Sequence, residues 1–125
     1  MGGRNTFAAV RDVPFVYKTV GVFHGVKVLE GTGDRHNLPE EAHSSEAYAK
    51  LASDGNLVML RFYDKDKLLT TEIGYHPEPE LTGHRRRVYH IHFYDRQFKR
   101  TPARLLTPEE IKKYEKYFTV KGAFQ

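Results

Sequence analysis

The chain contains no cysteine, which excludes disulfides and thiolate metal centres. It also has no tryptophan and only two methionines, so a core must come from aliphatic residues, tyrosine and phenylalanine. No apolar run approaches the roughly 20 residues needed to cross a bilayer, and no stretch has the pattern of a signal peptide. No single sign of charge dominates, because 20 basic residues face 16 acidic ones for a net +4. That balance permits polyanion binding without demanding it. There is no internal repeat and no low-complexity tract.

The 125 residues suit one compact domain. Eight Tyr and eight Phe point to a sheet-rich interior with polar rims. Residues 1–16 are expected to form a flexible N-terminal segment, with Met1-Gly2-Gly3 an expression scar or the cut end of a longer polypeptide. Residues 17–125 are expected to form a single α+β domain, an antiparallel sheet of five to six strands with a C-terminal helix packed on it.

Tyr17 to Phe23 reads as a strand, His24-Gly25 as a two-residue turn, and Val26 to Leu29 as the returning strand. Gly31 to Ser45 is a polar loop, and Ala47 to Ala52 a third strand. After the turn signal at residues 53–56, Leu57 to Tyr63 alternates, with Val58, Leu60 and Phe62 on an apolar face and Arg61 opposite. Asp64 to Lys67 is a turn. In the following strand, Leu69, Thr71, Ile73 and Tyr75 share one face, and Thr70, Glu72, Gly74 and His76 share the other. Pro77 to Arg87 is a basic loop. Val88 to Tyr94 alternates again, with Tyr89, Ile91 and Phe93 facing one way and His90 and His92 the other. Thr107-Pro108-Glu109-Glu110 opens a helix with a capping box. Ile111, Tyr114, Tyr117 and Phe118 recur at helical spacing to dock it.

Consecutive strands usually pair, and their apolar faces must share one core. The opposite faces then gather Arg61, Glu72, His76, His90 and His92. A carboxylate, a guanidinium and imidazoles together suit metal-free RNA cleavage by internal transfer. Glu72 or a neutral histidine takes the proton of the ribose 2′-hydroxyl, Arg61 clamps the phosphate oxygens, and His90 or His92 protonates the leaving 5′-oxygen. The product is a 2′,3′-cyclic phosphate, and no cofactor is required. Arg85, Arg86 and Arg87 are placed to hold the RNA backbone, and Tyr75 or Tyr94 to stack on a base. A metal reading competes: His76, His90 and His92 with Glu72 form a possible zinc or iron set, although Arg61 on the same face opposes a cation. His24, His36 and His43 lie in turns or loops and carry no assigned role.

The stretch from Leu57 to Asp95, with Leu60-Arg61-Phe62-Tyr63, Glu72-Ile73-Gly74-Tyr75-His76-Pro77 and His90-Ile91-His92-Phe93-Tyr94-Asp95, resembles a phage-encoded domain. Such domains occur alone or at the C-terminal end of minor head or portal-associated proteins in phages of Gram-positive bacteria. Arg100-Thr101-Pro102-Ala103-Arg104-Leu105-Leu106-Thr107 continues the likeness, which covers most of the chain from Tyr17 onward. The resemblance implies phage head proteins as partners and a setting in the bacterial host cytoplasm or the virion. It is equally compatible with a non-catalytic interaction domain.

More distantly, the pattern is similar to the Barnase–EndoU–colicin–RelE-like nuclease superfamily of phage and polymorphic toxins. That likeness implies a small α+β fold and metal-independent RNA cleavage, with Glu72, Arg61 and His90 or His92 supplying matching residue types. The superfamily usually places helices before the sheet, whereas this chain opens on a loop and a hairpin.

Overall fold

The computed structural model describes residues 17–31, 38–42 and 45–125. The expected N-terminal segment 1–16, His36, His43 and most of the loop before Ala47 lie outside them. Seven strands form one sheet in the order of the chain. They are β1 (Tyr17–Phe23), β2 (Val26–Gly31), β3 (Ala47–Leu51), β4 (Leu57–Tyr63), β5 (Leu69–Pro77), β6 (Arg87–Phe93) and β7 (Arg104–Leu105). A short helix α1 (Pro79–Thr82) joins β5 to β6, and α2 (Pro108–Lys113) follows β7, with a 3-10 turn at Glu115–Tyr117. The class is α+β.

Several expectations change. The C-terminal helix is only six residues long, so Tyr114, Tyr117 and Phe118 lie beyond it, and the expected loop Pro77–Arg87 holds a short helix. The sheet has seven strands rather than five or six, because a two-residue strand pairs Leu105 with His90 and Arg104 with Ile91. It is mixed rather than antiparallel throughout, because β2 pairs with β3 in parallel. A parallel neighbour requires a crossover, and residues 32–46 supply it. Among the described residues no helix is long and apolar enough to cross a membrane.

Turn chemistry closes the hairpins. His24 and Gly25 both take positive φ, 49° and 80°, the geometry of a turn whose twist matches its strands. Asp64 Oδ1 accepts from the backbone of Asp66 and Leu68 and so shapes the β4–β5 turn. The β5–β6 ladder then runs without a break from Thr71↔Phe93 to Pro77↔Arg87.

The two sheet faces are unequally covered. One packs against the C-terminal segment, with Leu60, Ile73, Tyr89 and Ile91 under Leu106 and Tyr117, and Ile111, Tyr114 and Phe118 at the margin. The anticipated capping box is present, with Glu110 N–H donating to Thr107 Oγ1 at 3.2 Å and Thr107 N–H to Glu110 Oε1 at 2.9 Å. The Tyr89 hydroxyl accepts from the backbone N–H groups of Thr119 and Val120, tying the last residues to the sheet. The other face carries a smaller cluster of Tyr17, Leu29, Tyr48, Tyr63 and Leu69 under Leu38 and Ala42 of the crossover.

Bulges re-aim two side chains against strict alternation. The register skips Val58 between Met59 and Leu57, and Leu57 enters the main core. It skips Thr70 between Thr71 and Leu69, so Leu69 joins Tyr63 on the opposite face from Ile73.

Candidate functional site

The polar face of β4, β5 and β6 forms as alternation requires. Arg61 pairs with Glu72 and Glu72 with His92 across neighbouring strands, while His90 lies opposite Gly74. All five candidate catalytic residues (Arg61, Glu72, His76, His90 and His92) therefore share one face, but they divide into two groups.

The first group is closed on itself. Arg61 is 6% exposed and Glu72 3%. Arg61 Nε donates to Glu72 Oε1 at 2.7 Å, its Nη1 donates to the Leu38 carbonyl, and its Nη2 donates to the Tyr94 hydroxyl at 3.2 Å. Tyr94 in turn donates to Glu72 Oε1 at 3.0 Å. Arg100 approaches Glu72 Oε2 at 3.9 Å from the solvent side. Burial pushes the Glu72 carboxyl up, but the Arg61 charge and the hydrogen bonds from Arg61 and Tyr94 outweigh it, so its pKa falls below the ordinary value. Burial likewise disfavours the Arg61 charge, and Glu72 beside it more than compensates. Base and clamp are thus engaged with each other. Tyr94 has its hydroxyl committed to the same network, and the Arg61 guanidinium lies 5.5 Å from its ring centroid. His92 is buried, and its Nδ1 sits 2.8 Å from the Thr101 carbonyl.

The second group lies at the far end of β5 and β6. The His76 and His90 rings pack with centroids 4.3 Å apart. Glu78, the residue after Pro77, brings Oε2 to 3.2 Å from His76 Nδ1 and 3.7 Å from His90 Nε2. Side-chain exposure grades from 54% at His76 through 21% at Glu78 to 0% at His90. His90 Nδ1 contacts the Val88 carbonyl at 3.2 Å, and its buried Nε2 has no hydrogen-bond partner. Burial holds the His90 pKa below the ordinary imidazole value, with the neighbouring His76 and His92 adding to the effect against the Val88 contact. One potential ligand atom from each of His76, Glu78 and His90 lies within 4.8 Å of the others.

Glu78 went unrecognised among the candidate residues. Its signal was its position two residues after His76, at the point where the strand gives way to a helix start. The metal set expected from the sequence is also revised: Glu72 and His92 are occupied elsewhere, and Glu78 takes their place beside His76 and His90.

The candidate RNA contacts divide as well. Tyr75 packs on Tyr89, with centroids 4.6 Å apart, on the core side of the sheet. Arg87 lies over that ring at 6.0 Å, away from the histidine face. Arg85 and Arg86 are exposed in the hairpin that carries Glu78. Neither makes an ion pair among the described residues. Compared with known proteins, the chain matches no family model, no curated protein and no solved structure.

Proposed function

We propose that the protein is a metal-independent, ribonuclease-type domain whose reacting group lies at the open end of the histidine row. The carrying observation is the His76–Glu78 pair at 3.2 Å. With the proton of His76 on Nδ1, donated to the Pro77 carbonyl at 3.0 Å and 3.2 Å from the Glu78 carboxylate, Nε2 is a free base on an exposed ring. A carboxylate behind an imidazole fixes its tautomer and stabilises the imidazolium formed on proton uptake.

His76 takes the proton of the 2′-hydroxyl. The 2′-oxygen attacks phosphorus, the bond to the 5′-oxygen breaks, and that oxygen takes a proton from solvent, leaving a 2′,3′-cyclic phosphate. Arg85 and Arg86 neutralise the phosphates. Arg61 and Glu72 act as a fixed support, because their charges are spent on each other. The resemblance to phage-encoded domains supports a setting in a bacterial host cytoplasm or a virion.

The test is labelled RNA in EDTA. Cleavage to cyclic-phosphate ends is expected, falling about 10²–10⁴-fold in His76→Gln, the usual range for a lost general base, and strongly in Glu78→Gln. Absence of cleavage, or cleavage unchanged in both variants, overturns the reading. The sealed Arg61–Glu72 pair favours a second reading, a non-catalytic interaction domain that contacts nucleic acid or a phage head protein. Binding without cleavage would mark it.

A further inference from the structure

We propose that His76, Glu78 and His90 form a binding site for a divalent transition metal of the zinc type, with a fourth position left to solvent. This goes beyond the cleavage reading and does not depend on it.

Three observations carry the inference. The first is spacing. Zinc bonds to nitrogen and carboxylate oxygen of about 2.0–2.2 Å in a tetrahedron place ligand atoms about 3.3–3.5 Å apart, and the contacts from Glu78 Oε2 to the two imidazoles measure 3.2 and 3.7 Å. The second is the proton inventory of His90. With Nδ1 donating to the Val88 carbonyl, Nε2 holds a lone pair that is buried and unpartnered, 3.7 Å from the Glu78 carboxylate oxygen. A cation bound by both would satisfy the orphaned nitrogen. A backbone carbonyl on the distal nitrogen is also the outer support that metal-bound histidines usually have.

The third is the space made for the ring. A Cβ at Gly74 would lie 2.7 Å from His90 Nε2 and 2.9 Å from Cε1, so only glycine lets the imidazole lie in this position. Two imidazoles and one carboxylate suit zinc and its neighbours better than magnesium or calcium. The exposure of His76 leaves room for water at the fourth position.

The site would also regulate the proposed cleavage. A neutral imidazole carries one proton, so a metal on His76 Nδ1 moves that proton to Nε2 and removes the base. Cleavage should then fall as zinc fills the site.

The test uses the full chain, stripped with EDTA, dialysed and titrated with zinc chloride by calorimetry, with cobalt(II) absorption reporting coordination geometry. One metal per chain is expected, with affinity at least about tenfold weaker in His76→Gln and in Glu78→Gln, since even outer-shell losses cost about 10–100-fold. His24→Gln, in the β1–β2 turn, should bind as the parent does. The His76 and Glu78 variants change side chains at the open end of the row, so the test stands even where His90→Gln fails to fold. No stoichiometric uptake, or uptake unchanged in both variants, overturns the site. Zinc uptake by a protein that does not cleave RNA in EDTA supports the site and sinks the cleavage reading, and cleavage in EDTA by a protein that takes up no zinc does the reverse.

Discussion

The two ends of one polar sheet face solve the same problem differently. At one end Arg61, Glu72 and Tyr94 are buried and satisfy one another. At the other, His90 is as deeply buried, yet its Nε2 lacks a partner and the groups beside it open to solvent. Buried polar atoms in folded proteins are nearly always paired, so the unpaired end is the informative one. Arg61 and Glu72 spend their charges and hydrogen bonds on each other and on Tyr94, which leaves little for a substrate. The residue types that look most catalytic in the sequence are therefore the ones most fully used by the fold.

The largest break in this comparison comes from unpairing the sealed end. Arg61→Ala or Glu72→Ala leaves a lone buried charge and should cost about 3–5 kcal/mol, read from urea unfolding. The double variant Arg61→Met with Glu72→Leu should recover most of that loss. A double variant as unstable as the singles would contradict a self-compensated pair.

At the open end, Gly74→Ala should cost about 1–3 kcal/mol by overpacking against His90. Gly21→Ala is the matched control, since a Cβ there meets nothing within 4 Å, and it should shift stability by less than about 0.5 kcal/mol.

Acid titration separates the ends by sign. The Glu72 carboxyl is held below its ordinary value of 4.5. Its contribution to stability is therefore complete above that pH and is lost as pH falls from there through the folded-state value. Glu72→Gln should flatten that part of the stability profile. A profile unchanged by the substitution would remove the linkage.

The smallest effect belongs to a surface counterpart. Glu110 is lowered to about 2, chiefly by the Arg104 hydrogen bonds, yet Arg104 is largely exposed. Arg104→Ala should raise the Glu110 titration midpoint, seen by NMR, while costing under about 1 kcal/mol.

The shared polar face was legible because strand alternation reports it directly, and the β5–β6 register has no interruption. The capping box at Thr107 was legible because its chemistry is local. Val58 and Leu69 were misplaced because a bulge leaves little trace in a single sequence. The burial of Arg61 was hidden because its Nη1 is held by Leu38, which arrives from the crossover rather than from a sequence neighbour. The parallel β2–β3 joint was missed for the same reason. Glu78 escaped notice because a residue beyond a proline reads as loop, and only the fold brings it back over His90.

The parallel joint also orders events in time. Antiparallel hairpins close over short stretches of chain, whereas β2 and β3 pair in parallel across a longer connection, with a larger entropic barrier. Leu38 travels with that segment, so the hydrogen bond that seals Arg61 forms late. The β5–β6 hairpin, with Glu78, His76 and His90 all within one local excursion of the chain, is free to assemble first. The histidine group would then be in place before Leu38 closes over Arg61.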